Sequence, residues 1–359
     1  MRHLTERKCV KINILSILLA IFIFGFLVFI HESGHFFFAR LFGVTVNEFS
    51  IGMGPKLLSR KSKKSGIVYS LRALPFGGFV AMAGEDDESD DENAFYKKSP
   101  IKRIVITAAG AVVNILLGII VMTALVFSTE TIGSTVIGEF VESEVEGFVS
   151  SEEQGLAVGD RVTHINGTRV FTANELHYEI MRQGIKPLDI TLVREGETMV
   201  VEDVSFFQIS EEGTSFGMRD FRVYAEERTF VNLLKHSVLR SYSTIKMVYD
   251  SLYDLITGRY GVDSISGPIG VTEALSEAAS SRIGDFIYLS AFLSINLGVM
   301  NLLPFPALDG GRIVFQLFEL IFRRPVPVKV EGFVNFIGLA LLMLLIVIVT
   351  CKDIVNLVI

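Results

Sequence analysis

Ile30-His31-Glu32-Ser33-Gly34-His35-Phe36 is an H-E-x-x-H pattern inside the first hydrophobic segment of the chain. On a helix, residues four apart share a face, so His31 and His35 can present two imidazoles to one metal ion with Glu32 beside them. That is the arrangement of a zinc hydrolase. An ionisable side chain in a membrane span costs about 2.5–3.5 kcal/mol even on mild scales, so these residues are not expected there without a function. The bland reading is a pair of neutral histidines packed between helices.

Working outward, the segment from about Asn13 to Phe38 is long enough to cross a hydrocarbon core of about 30 Å, with the histidines near its C-terminal end. Basic residues Arg2, Arg7, Lys8 and Lys11 precede it, as in a signal peptide. The apolar run is too long for one, and no small-residue cleavage site comes before His31, so it reads as a retained span. Half of the 359 residues are hydrophobic, which implies membrane spans combined with a soluble part. A net charge of -7 would repel a polyanion, so nucleic acid is excluded as a partner. The two cysteines, Cys9 and Cys351, supply neither a disulfide framework nor a cysteine zinc site. A metal must therefore use histidine and carboxylate.

Val44 to Ala83 alternates in the manner of strands, broken by Gly52-Met53-Gly54-Pro55 and by Pro75-Phe76-Gly77-Gly78. This predicts a hairpin-like sheet apolar enough to enter the membrane interface. Glu85 to Glu92 is an acidic run read as a solvated loop. Ser99-Pro100 opens a second helical segment whose span runs from Ile104 to Phe127 and carries Gly110 and Asn114 on one face. From Thr131 to Val223 the composition is that of a soluble domain, with a helix end near Gln154, an Asn166-Gly167 hairpin turn, a helix over 174–183 and strands over 188–194 and 199–204. Its G-L-x-x-G-D-x-V-x-x-I-N-G stretch, Gly155 to Gly167, resembles the signature of a PDZ domain. Thr229 to Thr257 reads as a long amphipathic helix lying against the membrane. Further spans follow from Phe286 to Leu303 and from Phe333 to Thr350.

Four spans place residues 39–103 and 304–332 on one side, where most of the Lys and Arg outside the soluble part lie, so that side is expected to be cytoplasmic. Asp309, after Pro304 and Pro306 and before Gly310-Gly311, is on that side and is the candidate third metal ligand. With zinc on His31, His35 and Asp309, Glu32 would serve as base in peptide hydrolysis. A substrate helix must unwind before attack, and pairing with a sheet edge would hold it extended while Asn114 or Asn301 takes up its freed backbone groups.

The chain resembles the site-2 protease family of intramembrane zinc metalloproteases, in the bacterial branch with a PDZ domain between the second and third spans. The resemblance rests on His31-Glu32-His35, Gly110-Asn114, Ser266-Gly267-Pro268 and Asn301 to Gly311. Ala111 departs from it, where members often carry Pro. The resemblance implies a polytopic α-helical membrane protein with four transmembrane helices, a membrane-associated β-hairpin and one inserted α+β PDZ domain. The expected division is 1–127, 131–223 for the PDZ domain, 224–285 for amphipathic helix and connector, and 286–359. Implied too are the ligands His31, His35 and Asp309, the base Glu32, and substrate-contacting Asn114 and Asn301. Substrates would be single-span proteins, anti-sigma factors already trimmed by a site-1-type protease or remnant signal peptides, with the PDZ domain outside the cytoplasm as a size filter. The competing expectations are a PDZ-bearing scaffold or transporter with a structural metal, and a tethered soluble peptidase. The apolar flanks Phe26 to Ile30 and Phe36 to Phe38 argue against the latter.

Overall fold

The computed structural model describes residues 14–85, 89–141, 148–211, 214–259 and 265–358. The basic N-terminal residues, Cys9 and the centre of the acidic run lie outside the described residues. In chain order the elements are α1 (Ile14–Leu41), β1 (Val46–Lys61), β2 (Val68–Met82), α2 (Pro100–Ser128), β3 (Ile132–Phe140), β4 (Arg161–Ile165), β5 (Thr168–Arg169), α3 (Ala173–Gln183), β6 (Leu188–Arg194), β7 (Glu197–Val204), β8 (Phe207–Glu211), β9 (Thr214–Met218), β10 (Phe221–Glu226), α4 (Phe230–Ile256), α5 (Pro268–Ser281), α6 (Ile283–Asn301), α7 (Asp309–Phe322) and α8 (Val328–Val358). They form two compact units, Met1–Val121 with Ser266–Ile359, and Met122–Ile265.

In the first unit α1, α2, α6 and α8 are apolar around most of their circumference, which is stable only where the surroundings are apolar. Four are long and apolar enough to cross a membrane: Ile17–Leu41, Pro100–Ser128, Ile283–Asn301 and Lys329–Val355. Leu18, Phe22, Phe26, Phe333, Phe336 and Leu344 are exposed on them, as lipid-facing side chains would be. Small residues let the helices approach. A Cβ at Gly34 would lie 2.7 Å from the Ala109 carbonyl oxygen, and one at Gly298 would lie 2.6 Å from that of Ala111. With Ala111 in place of Pro, α2 continues without a break through this crossing. Ser294 Oγ adds a hydrogen bond to the Asn114 carbonyl at 2.7 Å, joining α6 to α2.

β1 and β2 pair antiparallel, from Val46 opposite Met82 to Lys61 opposite Val68. Both bend at their Gly/Pro breaks, so residues 46–51 lie beside 78–82 and also beside 68–71. The fold here is a compact bent sheet rather than a flat ribbon. Arg72 spans it, donating to Ser50 Oγ at 3.0 Å, to the Gly54 carbonyl at 2.8 Å and to Glu48 at 2.9 Å. Burial pushes the Glu48 carboxyl up, but hydrogen bonds from Lys56, Ser70 and Arg72 outweigh that and hold it at about 2. Val44, Val46, Phe49, Ile67 and Val80 pack with Ala39 and Ile106, fastening the sheet to α1 and α2.

The second unit has strand order β10-β3-β4-β6-β7, with β5 paired to β4 and a separate β8–β9 hairpin. Asn166 and Gly167 have φ of 46° and 75°, the two left-handed residues of a type I′ turn. Ile137, Ile165, Leu176, Ile190, Leu192 and Phe221 are core residues. Thr172 caps α3 by accepting from the Glu175 N–H at 3.2 Å. Residues 151–155 form successive turns where the sequence predicts the end of a helix. Gly155 and Gly159, with φ of 111° and 95°, favour isolated turns over a continuing helix. The amphipathic helix α4 buries its polar side, including His236, Ser237, Ser241, Thr244 and Asp254, and exposes Phe230, Leu234, Val238 and Tyr242. Its buried charges are answered by α3: Arg182 grips Asp254 in a two-pronged pair at 2.6 and 2.8 Å, and Lys246 pairs with Glu179.

Candidate metal centre

His31 and His35 lie one turn apart near the C-terminal end of α1, and both are buried. The Nδ1 of His35 is 2.9 Å from the Ile106 carbonyl oxygen in α2. A carbonyl can only accept, so this bond places the proton on Nδ1 and turns the Nε2 lone pair inward. Asp309 arrives from the opposite side as the first residue of α7, where a carboxylate also complements the helix dipole. The sequence makes Asp309, between prolines and glycines, the candidate third ligand; the structure adds that it starts an amphipathic helix.

The donor atoms converge. His31 Nε2 is 3.1 Å from His35 Nε2 and 3.3 Å from Asp309 Oδ2, and His35 Nε2 is 3.5 Å from the same oxygen. Ligands at about 2.0–2.1 Å from a tetrahedral zinc ion stand about 3.3–3.4 Å from one another, so these separations match three corners of such a site. Asp309 Oδ2 is buried and makes no hydrogen bond. An orphaned carboxylate oxygen facing two imidazoles is expensive unless a cation completes the group, and this donor chemistry suits zinc. Among the described residues, His31, His35 and Asp309 are the group able to hold a metal ion.

Two glycines make the convergence possible. A Cβ at Gly110 would fall on His35 Nε2 and lie 2.9 Å from His31 Nε2, so a side chain there would fill the space between the imidazoles and α2. At Gly310 a Cβ would strike the carbonyl oxygens of Leu302 and Leu303, because the Pro304–Leu308 turn folds back over the start of α7. Glu32 faces the sheet: a Cβ at Gly78 would be 3.0 Å from Glu32 Cγ, and the Val80 N–H hydrogen-bonds its carboxylate.

Asn114 is fully buried, with neither amide atom hydrogen-bonded. Asn301, by contrast, donates its amide to the Leu297 carbonyl of its own helix at 2.9 Å. The structure adds residues that the sequence reading omits. Gln316 donates to Thr107 Oγ1 at 2.9 Å, Arg103 pairs with Glu319, and Arg312 pairs with Glu85, so of three residues on one face of α7 two are tied to α2 and one to the edge of the acidic run. Asn335 of α8 accepts from the Ala307 N–H at 3.2 Å, within the turn before Asp309. Their signal is a polar residue in an otherwise apolar helical stretch.

The sequence profile of peptidase family M50 matches residues 19–345. A Clostridium acetobutylicum protein provisionally named as a zinc metalloprotease is 36% identical, over 95% of this chain and 97% of its own length. The zinc metalloprotease RasP of Geobacillus kaustophilus is 32% identical over 94% of this chain and 97% of its own. The regulator of sigma-W protease RasP of Bacillus subtilis is 29% identical over 94% and 98%.

Proposed function

This chain belongs to peptidase family M50, the site-2 protease family, and is a zinc metalloprotease; from that premise we propose that His31, His35 and Asp309 hold the zinc ion and that Glu32 is the catalytic base. The observation that carries the assignment is the convergence of three donor atoms, one of them an orphaned carboxylate oxygen, at the spacing of a tetrahedral site. When bound, zinc polarises the scissile carbonyl and brings the pKa of an attacking water toward about 7. Glu32 takes the proton of that water and delivers it to the leaving amine, and the Val80 N–H keeps its carboxylate in place. The Ile106 carbonyl fixes the His35 tautomer, and Gly110 keeps the floor of the site free of a side chain.

The bonds cut lie within or near transmembrane segments of single-span membrane proteins. The support is the placement of the site on a helix long and apolar enough to be a span. There a helical substrate has its carbonyls engaged until it unwinds. An edge of the β1–β2 sheet holds the unwound segment extended, and the unengaged amide of Asn114 bonds its freed backbone; Asn301 contributes through the part of its amide not committed to Leu297. The name of the Bacillus subtilis relative refers to regulation of sigma-W, which supports an anti-sigma factor as substrate, with remnant signal peptides as the second class. A substrate of the first class would first be trimmed by a site-1-type protease.

The protein has four spans in the cytoplasmic membrane, with the metal centre toward the cytoplasm and residues 131–223 forming an extracytoplasmic PDZ domain that excludes substrates with a folded ectodomain. Charge supports this sidedness: Lys and Arg outside the soluble part concentrate between residues 40–103 and 312–329. A scaffold with a structural metal would close its coordination shell with four protein ligands, whereas among the described residues three donors converge here. The experiment is cleavage of a single-span substrate by the purified chain in bilayer nanodiscs, with zinc measured on the same sample. Turnover that requires Glu32 while zinc does not supports the reading, and turnover in Glu32→Gln contradicts it.

A further inference from the structure

The end of β1 and the turn that joins it to β2 carry a charge cluster that the peptidase chemistry does not use. Lys56, Arg60, Lys61, Lys63 and Lys64 fall within nine residues, and no Asp or Glu occurs between Phe49 and Gly84, in a chain whose net charge is -7. Lys56 is paired with Glu48, but among the described residues no ion pair forms to Arg60, Lys61, Lys63 or Lys64. All are exposed, and so are the interleaved Leu57 and Leu58, at 62% and 67%. A solvated basic loop has no need of two such leucines side by side.

Next to this tip is an apolar groove of about 620 Å³ between α1 and the sheet. Phe29, Phe36, Phe49, Leu58 and Tyr69 line it, and Arg60 is its one charged lining residue. Three of the aromatic rings meet edge to face, Phe29 with Phe49 at 6.0 Å and Phe36 with Phe49 at 5.3 Å between centroids. Only four residues separate Leu41, the end of α1, from Val46, the start of β1, so the sheet leaves the chain where the span ends. An apolar slot beside a span, with unpaired cations at its mouth, matches an amphiphile with an acyl chain and a negative headgroup.

We propose that the β1–β2 tip and its groove bind anionic phospholipid of the leaflet at which α1 ends. The cations attract the headgroups, Leu57 and Leu58 enter the interface, and one acyl chain occupies the aromatic groove. An acidic peptide would satisfy the lysines but leave the leucines and the groove against water. Lipid contact at the tip also bears on catalysis, because the same sheet packs on Glu32 through Gly78. The inference rests on α1 being a span, but not on the assignment of the zinc ligands.

The chain contains no Trp, so Leu58→Trp introduces its sole indole. The full-length variant is placed in nanodiscs of phosphatidylcholine alone or with about 30% phosphatidylglycerol, and quenching by bromo-acyl lipid is recorded. Stronger quenching in the anionic discs is expected, weakening as salt rises from about 0.1 M to about 1 M. Each of Arg60→Gln, Lys61→Gln, Lys63→Gln and Lys64→Gln should lower the preference for anionic lipid roughly fivefold. Equal quenching in both lipids, or quenching unchanged when all four are replaced, overturns the proposal. Protection of the indole by an acidic peptide in detergent would do so as well, assigning the tip to peptide. Leu57→Trp serves as a second reporter if Leu58→Trp fails to retain zinc. The same quenching in the Glu32→Gln background separates failure of this proposal from failure of the catalytic one.

Discussion

A cluster of buried ion pairs in one unit contrasts with the metal centre of the other. In the unit formed by residues 122–265, Glu179 is fully buried and meets Lys246, while Arg182 and Asp254 close a two-pronged pair, so charge answers charge within the chain. In the helical unit, Asp309 Oδ2, His31 Nδ1 and both amide atoms of Asn114 are buried without a hydrogen-bond partner. Both arrangements carry a desolvation penalty, but the α3–α4 pairs repay it within the chain while Asp309 Oδ2 does not. A buried carboxylate oxygen left unanswered beside two imidazoles marks where a cation must bind, and buried pairs mark where two elements are fastened together.

This contrast can be broken by mutation. The largest expected effect is that of Glu32→Gln, which removes the base and leaves the donor set: turnover of a single-span substrate should fall about 10²–10⁴-fold with zinc content unchanged. Zinc lost together with turnover would make Glu32 part of the metal site instead. Gly110→Ala comes next, because its methyl group would occupy the space of His35 Nε2. Zinc affinity should drop by at least about 100-fold, more than typical losses from outer-shell changes, while helix content by circular dichroism stays the same. Full zinc binding in that variant would refute the floor assigned to Gly110.

Lys246→Met tests the other half of the comparison. It leaves Glu179 buried without its partner and should destabilise the 122–265 unit by about 3 kcal/mol, seen in chemical denaturation, with zinc stoichiometry unaffected. A variant that loses zinc would show that the two classes of buried charge are not separate.

How much of this was legible in the sequence depends on whether the signal is local. His31, Glu32 and His35 are readable because helical spacing alone brings them together, and Asp309 because prolines and glycines bracket an acid at a span end. The long apolar runs are readable for the same reason. Gly110 is visible as a small residue, but what it faces is set by α1 packing from 75 residues away. The ties of Gln316 to Thr107 and of Glu319 to Arg103 are equally non-local, since α7 must first fold back against α2. The bends in β1 and β2 were signalled by their glycines and prolines, whereas the resulting register was not, because Cα partners on two sides of residues 46–51 depend on how sharply the chain turns.

The smallest effect expected is a pH dependence in the sheet. Glu48 is held at about 2 against an ordinary 4.5, so its contribution to stability is complete above about 4.5 and is lost as pH falls toward 2. Hydrogen exchange of the β1 and β2 amides should be flat from neutral pH to about 4.5 and accelerate below it, and Glu48→Gln should abolish that acceleration. An unchanged profile in the variant would remove Glu48 from the account.

In the proposed site two histidines of α1 and the first residue of α7 share one zinc ion. X-ray absorption at the zinc edge of the purified chain, beside Asp309→Ala, measures it directly. One zinc per chain is predicted, with two imidazole nitrogens and a carboxylate oxygen at about 2.0–2.1 Å, and Asp309→Ala should lose the oxygen contribution along with most of the zinc. An unaltered zinc spectrum and full occupancy in Asp309→Ala would contradict the site.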